Sequence, residues 1–156
     1  IQSIILLSSL FILVFLTNKY YLKYNNIKNN NNLLMKNTMG SIFLLFGLLK
    51  LLNLEGFKNI FKKYDLIAMN YDEYSYIYPF IELYFSYNLF LNKNITFTLY
   101  SIILFMAINI ISVILSMYEG TELRCGCMGA LSLHIPLSYT TLTENIFMII
   151  MSILIL

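Results

Sequence analysis

Five apolar runs, at residues 1–16, 33–54, 79–90, 95–118 and 142–156, take up most of the chain and are separated by polar segments. Runs of this character are membrane-crossing helices: at ~1.5 Å of rise per residue the first extends about 24 Å, against a hydrocarbon core of ~30 Å. With 59% hydrophobic residues and a mean hydropathy of +0.73, a chain of 156 residues is too apolar for a water-soluble domain. The expectation is an all-α, polytopic membrane protein. Net charge is only +2 and the ten basic residues are scattered among the spans, which leaves no footprint for nucleic acid.

The first run is interrupted only by Gln2 and serines. Thr17-Asn18-Lys19-Tyr20-Tyr21 lacks the small-residue pattern of a cleavage site, so a retained span is expected rather than a signal-peptide core. Residues 18–32, ending in Asn29-Asn30-Asn31-Asn32, read as a flexible linker. In the second span Gly40 and Gly47 fall seven apart, two turns along one face, where a neighbouring helix can come close. Phe57, Ile60, Phe61 and Tyr64 recur at helical spacing with lysines opposite, which predicts a short amphipathic helix lying in the interface. Asp72 to Tyr78 supplies an aromatic belt, and Pro79 suits the first turn of the third span. Thr141-Leu142-Thr143-Glu144 has the form of a helix start, with Thr141 capping and Glu144 answering the helix dipole. The final span is short enough to lean on its neighbours.

Lys50 and Glu82 are ionisable residues inside spans. Lys50 near the end of the second and Glu82 near the start of the third lie at similar depth on the same side. Each can snorkel separately to the interface, or the two can pair and offset the cost of burial. Sidedness follows from the loops. One side carries Lys19, Lys23, Lys28, Lys36 and Lys93 with no acid, whereas on the other the bases are balanced by Glu55, Asp65, Asp72, Glu73, Glu119 and Glu122. The positive-inside rule makes the lysine side cytoplasmic or matrix-like. The 119–139 loop then faces outward, with Lys50, Glu82 and Asn145 toward the same surface.

That loop carries both cysteines of the chain, in Arg124-Cys125-Gly126-Cys127-Met128-Gly129. Two thiols separated by one glycine can close a strained, readily reduced ring or bind a soft metal, and they can also be small apolar fillers at a helix boundary. Metal binding is the weaker option, because His134 and carboxylates make a poor zinc set with two thiolates. Arg124 beside Cys125 favours the reactive thiolate, and Lys50 does the same wherever it is not neutralised by Glu82. His134 is a candidate proton shuttle, although a lone histidine in a loop is more often a surface residue.

In order along the chain, Gly47-Leu48-Leu49-Lys50-Leu51, then Phe57, Ile60 and Tyr64, then Tyr78-Pro79-Phe80-Ile81-Glu82-Leu83, then Cys125-Gly126-Cys127-Met128-Gly129 and Glu144-Asn145, resemble the pattern of the methylamine utilisation protein MauE family. That family is similar to the wider DoxX-like group of four-helix membrane proteins. The resemblance covers about residues 38–156. It implies a four-helix DoxX-like transmembrane bundle at 33–156, preceded at 1–32 by one extra N-terminal transmembrane helix and its linker. It further implies disulfide formation or maintenance in an exported partner, often beside a thioredoxin-like protein. Cys125 and Cys127 would be the redox pair, with Lys50, Glu82 and Asn145 as supporting polar positions. Met128 stands where the family usually has an aromatic, and the first span is an addition.

The expected function is therefore an integral-membrane thiol-disulfide redox protein in a bacterial or organellar inner membrane, with its cysteine loop outside. A quinone in the bilayer is the candidate electron acceptor, on the ground of membrane location alone. The alternative is a non-catalytic structural subunit of a larger membrane complex, its apolar faces packed on other subunits or lipid.

Overall fold

The computed structural model describes residues 2–24, 31–118 and 137–156, and side-chain surroundings within 9–24, 31–118 and 141–156. Among these residues the chain is all-helical, in the order α1 (Gln2–Tyr24), α2 (Asn31–Leu52), α3 (Leu54–Phe61), α4 (Asp72–Leu91), α5 (Ile95–Tyr118) and α6 (Leu137–Ile155). Two of these helices, α2 and α5, are long and apolar enough to cross a membrane, and Thr141–Ile155 adds a shorter apolar stretch. Phe97, Tyr100, Leu104 and Ile111 project from α5 into the surroundings, as hydrocarbon-facing side chains do.

The long helices alternate in direction. Phe43, Phe46, Phe85, Leu89, Ile102, Met106 and Met148 interlock between α2, α4, α5 and α6 as a single core. The close approach expected at Gly40 and Gly47 is made by α4. A Cβ on Gly40 would come 3.2 Å from the Phe90 ring, and one on Gly47 would meet Leu83 at 3.0 Å and the Pro79 carbonyl oxygen at 3.2 Å. Ser86 Oγ donates to the Gly40 carbonyl at 2.7 Å, a buried hydrogen bond that the absence of a side chain makes reachable. The tight turn after α4 has Asn92 and Asn94 at φ of 53° and 44°, left-handed conformations that asparagine tolerates. Lys36 Nζ donates to Asn92 Oδ1 at 2.6 Å, so the start of α2 and the end of α4 share one end of the bundle.

Several expected boundaries shift. Helix α1 continues to Tyr24, past the expected start of the linker, because Leu22 is buried and Asn18 Nδ2 bonds Ser41 Oγ at 3.3 Å. Packing of Phe11 on Phe147, edge to face at 4.7 Å, sets α1 against α6. Pro79 lies in the interior of α4, not in its first turn. The turns ahead of it hold because Tyr74 and Tyr78 pack on Phe61, with ring centroids 6.0 and 4.6 Å apart. Helix α6 starts at Leu137, so Thr141 and Glu144 fall in its second turn and point into the bundle; the expected cap is not formed.

Helix α3 is amphipathic as expected, but its apolar face is covered by the protein itself. Asn53 caps it, accepting from the Gly56 amide at 3.1 Å. Phe57 and Phe61 stack at 4.8 Å and pack with Tyr64, Tyr78 and Val113 to close this end of the bundle. Its polar face is tied to the start of α4: Lys58 Nζ donates to Tyr76 Oη at 2.9 Å, that hydroxyl donates to Glu55 at 2.8 Å, and Lys62 reaches Asp72 at 2.8 Å. The Lys62 ammonium, through this hydrogen bond, holds the Asp72 carboxyl below the usual range.

Candidate functional site

Just beneath the α3 plug, polar side chains from four helices meet. Lys50 of α2 donates from Nζ to Glu82 Oε1 of α4, and both are almost fully enclosed, at 3% and 2% exposure. Their matching depth in the sequence allows either pairing or separate snorkelling, and the two residues pair. The Lys50 ammonium also lies 4.8 Å from the Tyr78 ring centre and 5.6 Å from that of Phe57, a cation held against aromatic faces. Because Glu82 neutralises it, Lys50 is not available to lower a thiol's pKa.

Asn145 of α6 donates from Nδ2 to Asn109 Oδ1 of α5 at 2.9 Å, and Asn109 Nδ2 donates to Tyr78 Oη at 2.9 Å. This chain fastens α6 to α5 and α5 to α4. Acting there as acceptor, the Tyr78 hydroxyl keeps its own hydrogen to donate. Glu144 lies beside Asn145 on the same buried side of α6, at 5% exposure, with Lys50 and Glu82 acting on it electrostatically. Lys50, Tyr78, Glu82, Thr141, Glu144 and Asn145 line a pocket, roofed by Phe57, Phe61 and Tyr64, with room for about one water. Glu82 Oε2 and Thr141 Oγ1 are buried without a hydrogen-bond partner among the described residues.

A third buried acid sits outside the spans. Asp65, between α3 and α4, accepts at Oδ1 from the amides of Ile67 at 3.0 Å and Ala68 at 2.9 Å. Burial pushes its carboxyl up, and these backbone hydrogen bonds pull back in part. Burial likewise raises Tyr64 well above the ordinary phenol range.

Of the residues singled out from sequence, Lys50, Glu82 and Asn145 are thus brought into one cluster. Cys125 and Cys127, with Arg124 and His134, lie outside the described residues. Helix α5 ends at Tyr118 and α6 begins at Leu137, both toward the cluster's end of the bundle. Sequence reasoning missed Asn109, Tyr78 and the inward role of Glu144. A signal was present: Asn109 is the one amide side chain in a span whose other polar residues are Ser, Thr and Tyr, and Thr141, Glu144 and Asn145 are spaced i, i+3, i+4, one face of a helix.

The fold and the site define a class, an all-helical membrane protein with a charged, hydrogen-bonded cluster sealed inside one end of its bundle. Within that class the chain belongs to the family of the methylamine utilisation protein MauE, whose sequence model matches residues 28–156. Helix α1 lies outside the matched region. Comparison with curated proteins and with solved structures gave no match.

Proposed function

We propose that this protein is an integral-membrane thiol-disulfide redox protein that supports disulfide formation or maintenance in a partner on the outer side of the membrane, through Cys125 and Cys127. In this reading α2, α4, α5 and α6 are the DoxX-like four-helix unit and α1 is an added transmembrane helix. The lysine-rich end, with Lys19, Lys23, Lys28, Lys36 and Lys93, faces the cytoplasm or matrix. The observation that supports the reading is one of topology: Cys-Gly-Cys falls in sequence between α5 and α6, whose facing ends at Tyr118 and Leu137 lie toward the end where Lys50, Glu82 and Asn145 gather.

The chemistry is a two-electron exchange. Two partner thiols lose two electrons and two protons as their sulfurs join, and the Cys125–Cys127 bond gains both and opens to two thiols. A quinone in the bilayer is the acceptor that would restore the bond, becoming a quinol. Arg124 favours the thiolate form of the neighbouring sulfur. The test is Cys127→Ser in membranes, followed by non-reducing electrophoresis and mass spectrometry. A mixed disulfide between Cys125 and a partner is expected, together with a reducible Cys125–Cys127 bond in the wild type. Thiols that stay alkylatable under oxidising conditions would exclude the redox role.

A second reading, a non-catalytic subunit of a membrane complex, is favoured by α1. It lies outside the family match and leaves Ile12, Leu13, Phe15 and Leu16 uncovered. The double variant Cys125→Ser, Cys127→Ser separates the two: a subunit keeps its assembly and function, and a redox protein loses its function.

A further inference from the structure

The Lys50 cluster is unbalanced in charge. Among the described residues it encloses two carboxyls, Glu82 and Glu144, but one ammonium, Lys50, and all three are almost fully buried. Among the described residues, the other titratable groups lining the pocket are the phenols of Tyr78 from α4 and Tyr64 from the turn after α3, which add no positive charge. If every acid were ionised, one unpaired negative charge would remain in a buried space with room for about one water, which is far less favourable than binding a proton. Glu82 is engaged by the Lys50 ammonium, so the carboxyl left to carry that proton is Glu144. A second, independent feature points to an occupant: Glu82 Oε2 and Thr141 Oγ1, both buried and unpartnered among the described residues, line a pocket that fits about one water.

We propose that this pocket is a proton-binding site, holding one exchangeable proton on Glu144 and one water that joins the free oxygens of Glu82 and Thr141 to it. Lys50 fixes the occupancy, because a single ammonium balances a single carboxylate and leaves the other acid neutral. What the proton serves rests on the thiol-disulfide reading. When the S–S bond breaks, the leaving sulfur carries off the bonding electron pair as a thiolate, and Glu144 supplies the proton that neutralises it. The attacking thiol's proton passes to bulk water, from which Glu144 is recharged through the pocket water, so atoms and electrons balance.

The test is infrared spectroscopy of the full chain in lipid nanodiscs, with glutamate carrying carbon-13 so that Asp65 does not contribute. The wild type at pH 7 should show a protonated-carboxyl band that shifts with the label and with deuterium exchange. Charge counting then fixes the variants: the band is lost in Glu144→Gln and in Glu82→Gln, and roughly doubled in Lys50→Met. A wild type without the band, a band that survives Glu144→Gln, or one unmoved by Lys50→Met would overturn the site. Should Lys50→Met fail to fold, the wild type and the isosteric Glu144→Gln decide alone. The proton site and the thiol reading fail separately: the band without a trapped mixed disulfide in Cys127→Ser keeps the site and removes its redox use, whereas trapping without the band removes the site.

Discussion

Lys50→Met should be among the most damaging single changes outside the apolar core, and its penalty should depend on pH. In the wild type the Lys50–Glu82 attraction is worth about 6 kcal/mol at a typical separation of ~2.8 Å and an effective dielectric of ~20, and desolvating the two charges cancels several kcal/mol for each, so the pair is close to neutral for stability. Removing the ammonium alone is different, because the fold then encloses Glu82 and Glu144 with no cation among the described residues. One further carboxyl must take up a proton, which at pH 7 costs about 3–4 kcal/mol, at ~1.4 kcal/mol for each pH unit above the free value of ~4.3. That agrees with the ~3–5 kcal/mol typical of a broken buried pair. The sign is fixed: only the folded state of the variant holds the extra proton, so the deficit is full at pH 7 and fades as the pH falls toward ~4.3. Glu82→Gln should cost no more than ~1 kcal/mol, since Glu144 inherits Lys50 as its counter-ion and the site is balanced without an added proton. Reversible unfolding by steric trapping in bicelles, at pH 5 and pH 7, measures both variants. A Lys50→Met protein within ~1 kcal/mol of wild type at pH 7, or a Glu82→Gln protein just as impaired, would refute the charge-balance argument.

Asp65 gives a prediction of the same kind outside the membrane spans. Its carboxyl is raised by burial, so the folded state binds the proton more tightly than the unfolded chain; this contribution favours folding at low pH and is lost as pH rises through the raised value. Asp65→Asn keeps the oxygen that accepts from Ile67 and Ala68 and removes the buried charge, so thermal melts across pH 4 to 8 should show equal or greater stability at neutral pH, with a flatter profile. Asp65→Ala strands both amides and should lose about 1–3 kcal/mol; an Asn variant weaker than the Ala variant would overturn this account. The glycines on α2 should differ: Gly47→Ala drives a methyl group against Leu83 and the Pro79 backbone for a loss of ~1–3 kcal/mol, whereas at Gly40 only the partly exposed Phe90 ring must swing aside, and helix propensity offsets most of the strain. Equal melting temperatures for the two variants would contradict the tight α2–α4 contact.

The residues that could be read correctly in advance were those whose burial is expensive. Lys50 and Glu82 were placed at matching depth because a charge inside an apolar run must find either water or a partner, and loop lengths restrict which partner is near. Gly40 and Gly47 were legible because two missing side chains on one helical face have few other uses. Glu144 was misread because Thr-x-x-Glu describes a cap only where a helix begins, and α6 begins a turn earlier at Leu137. Asn109 and Tyr78 were passed over because their roles depend on each other. An asparagine in a span and a tyrosine near its mouth acquire meaning only when α5 brings them within 2.9 Å.

The sequence by itself determined that this chain is helical, lipid-embedded and a member of its family, because long apolar runs in a bilayer leave few ways to satisfy the backbone and because motif residues keep their order along the chain. It also determined which acids and bases had to be accounted for. Tertiary structure alone decided that Lys50 pairs with Glu82 in a pocket that Glu144 also lines, that α3 folds inward as a plug, and that Asn145, Asn109 and Tyr78 form one hydrogen-bonded chain. Those outcomes turn on the rotation and depth of each helix against its neighbours, and no single run of sequence contains that information.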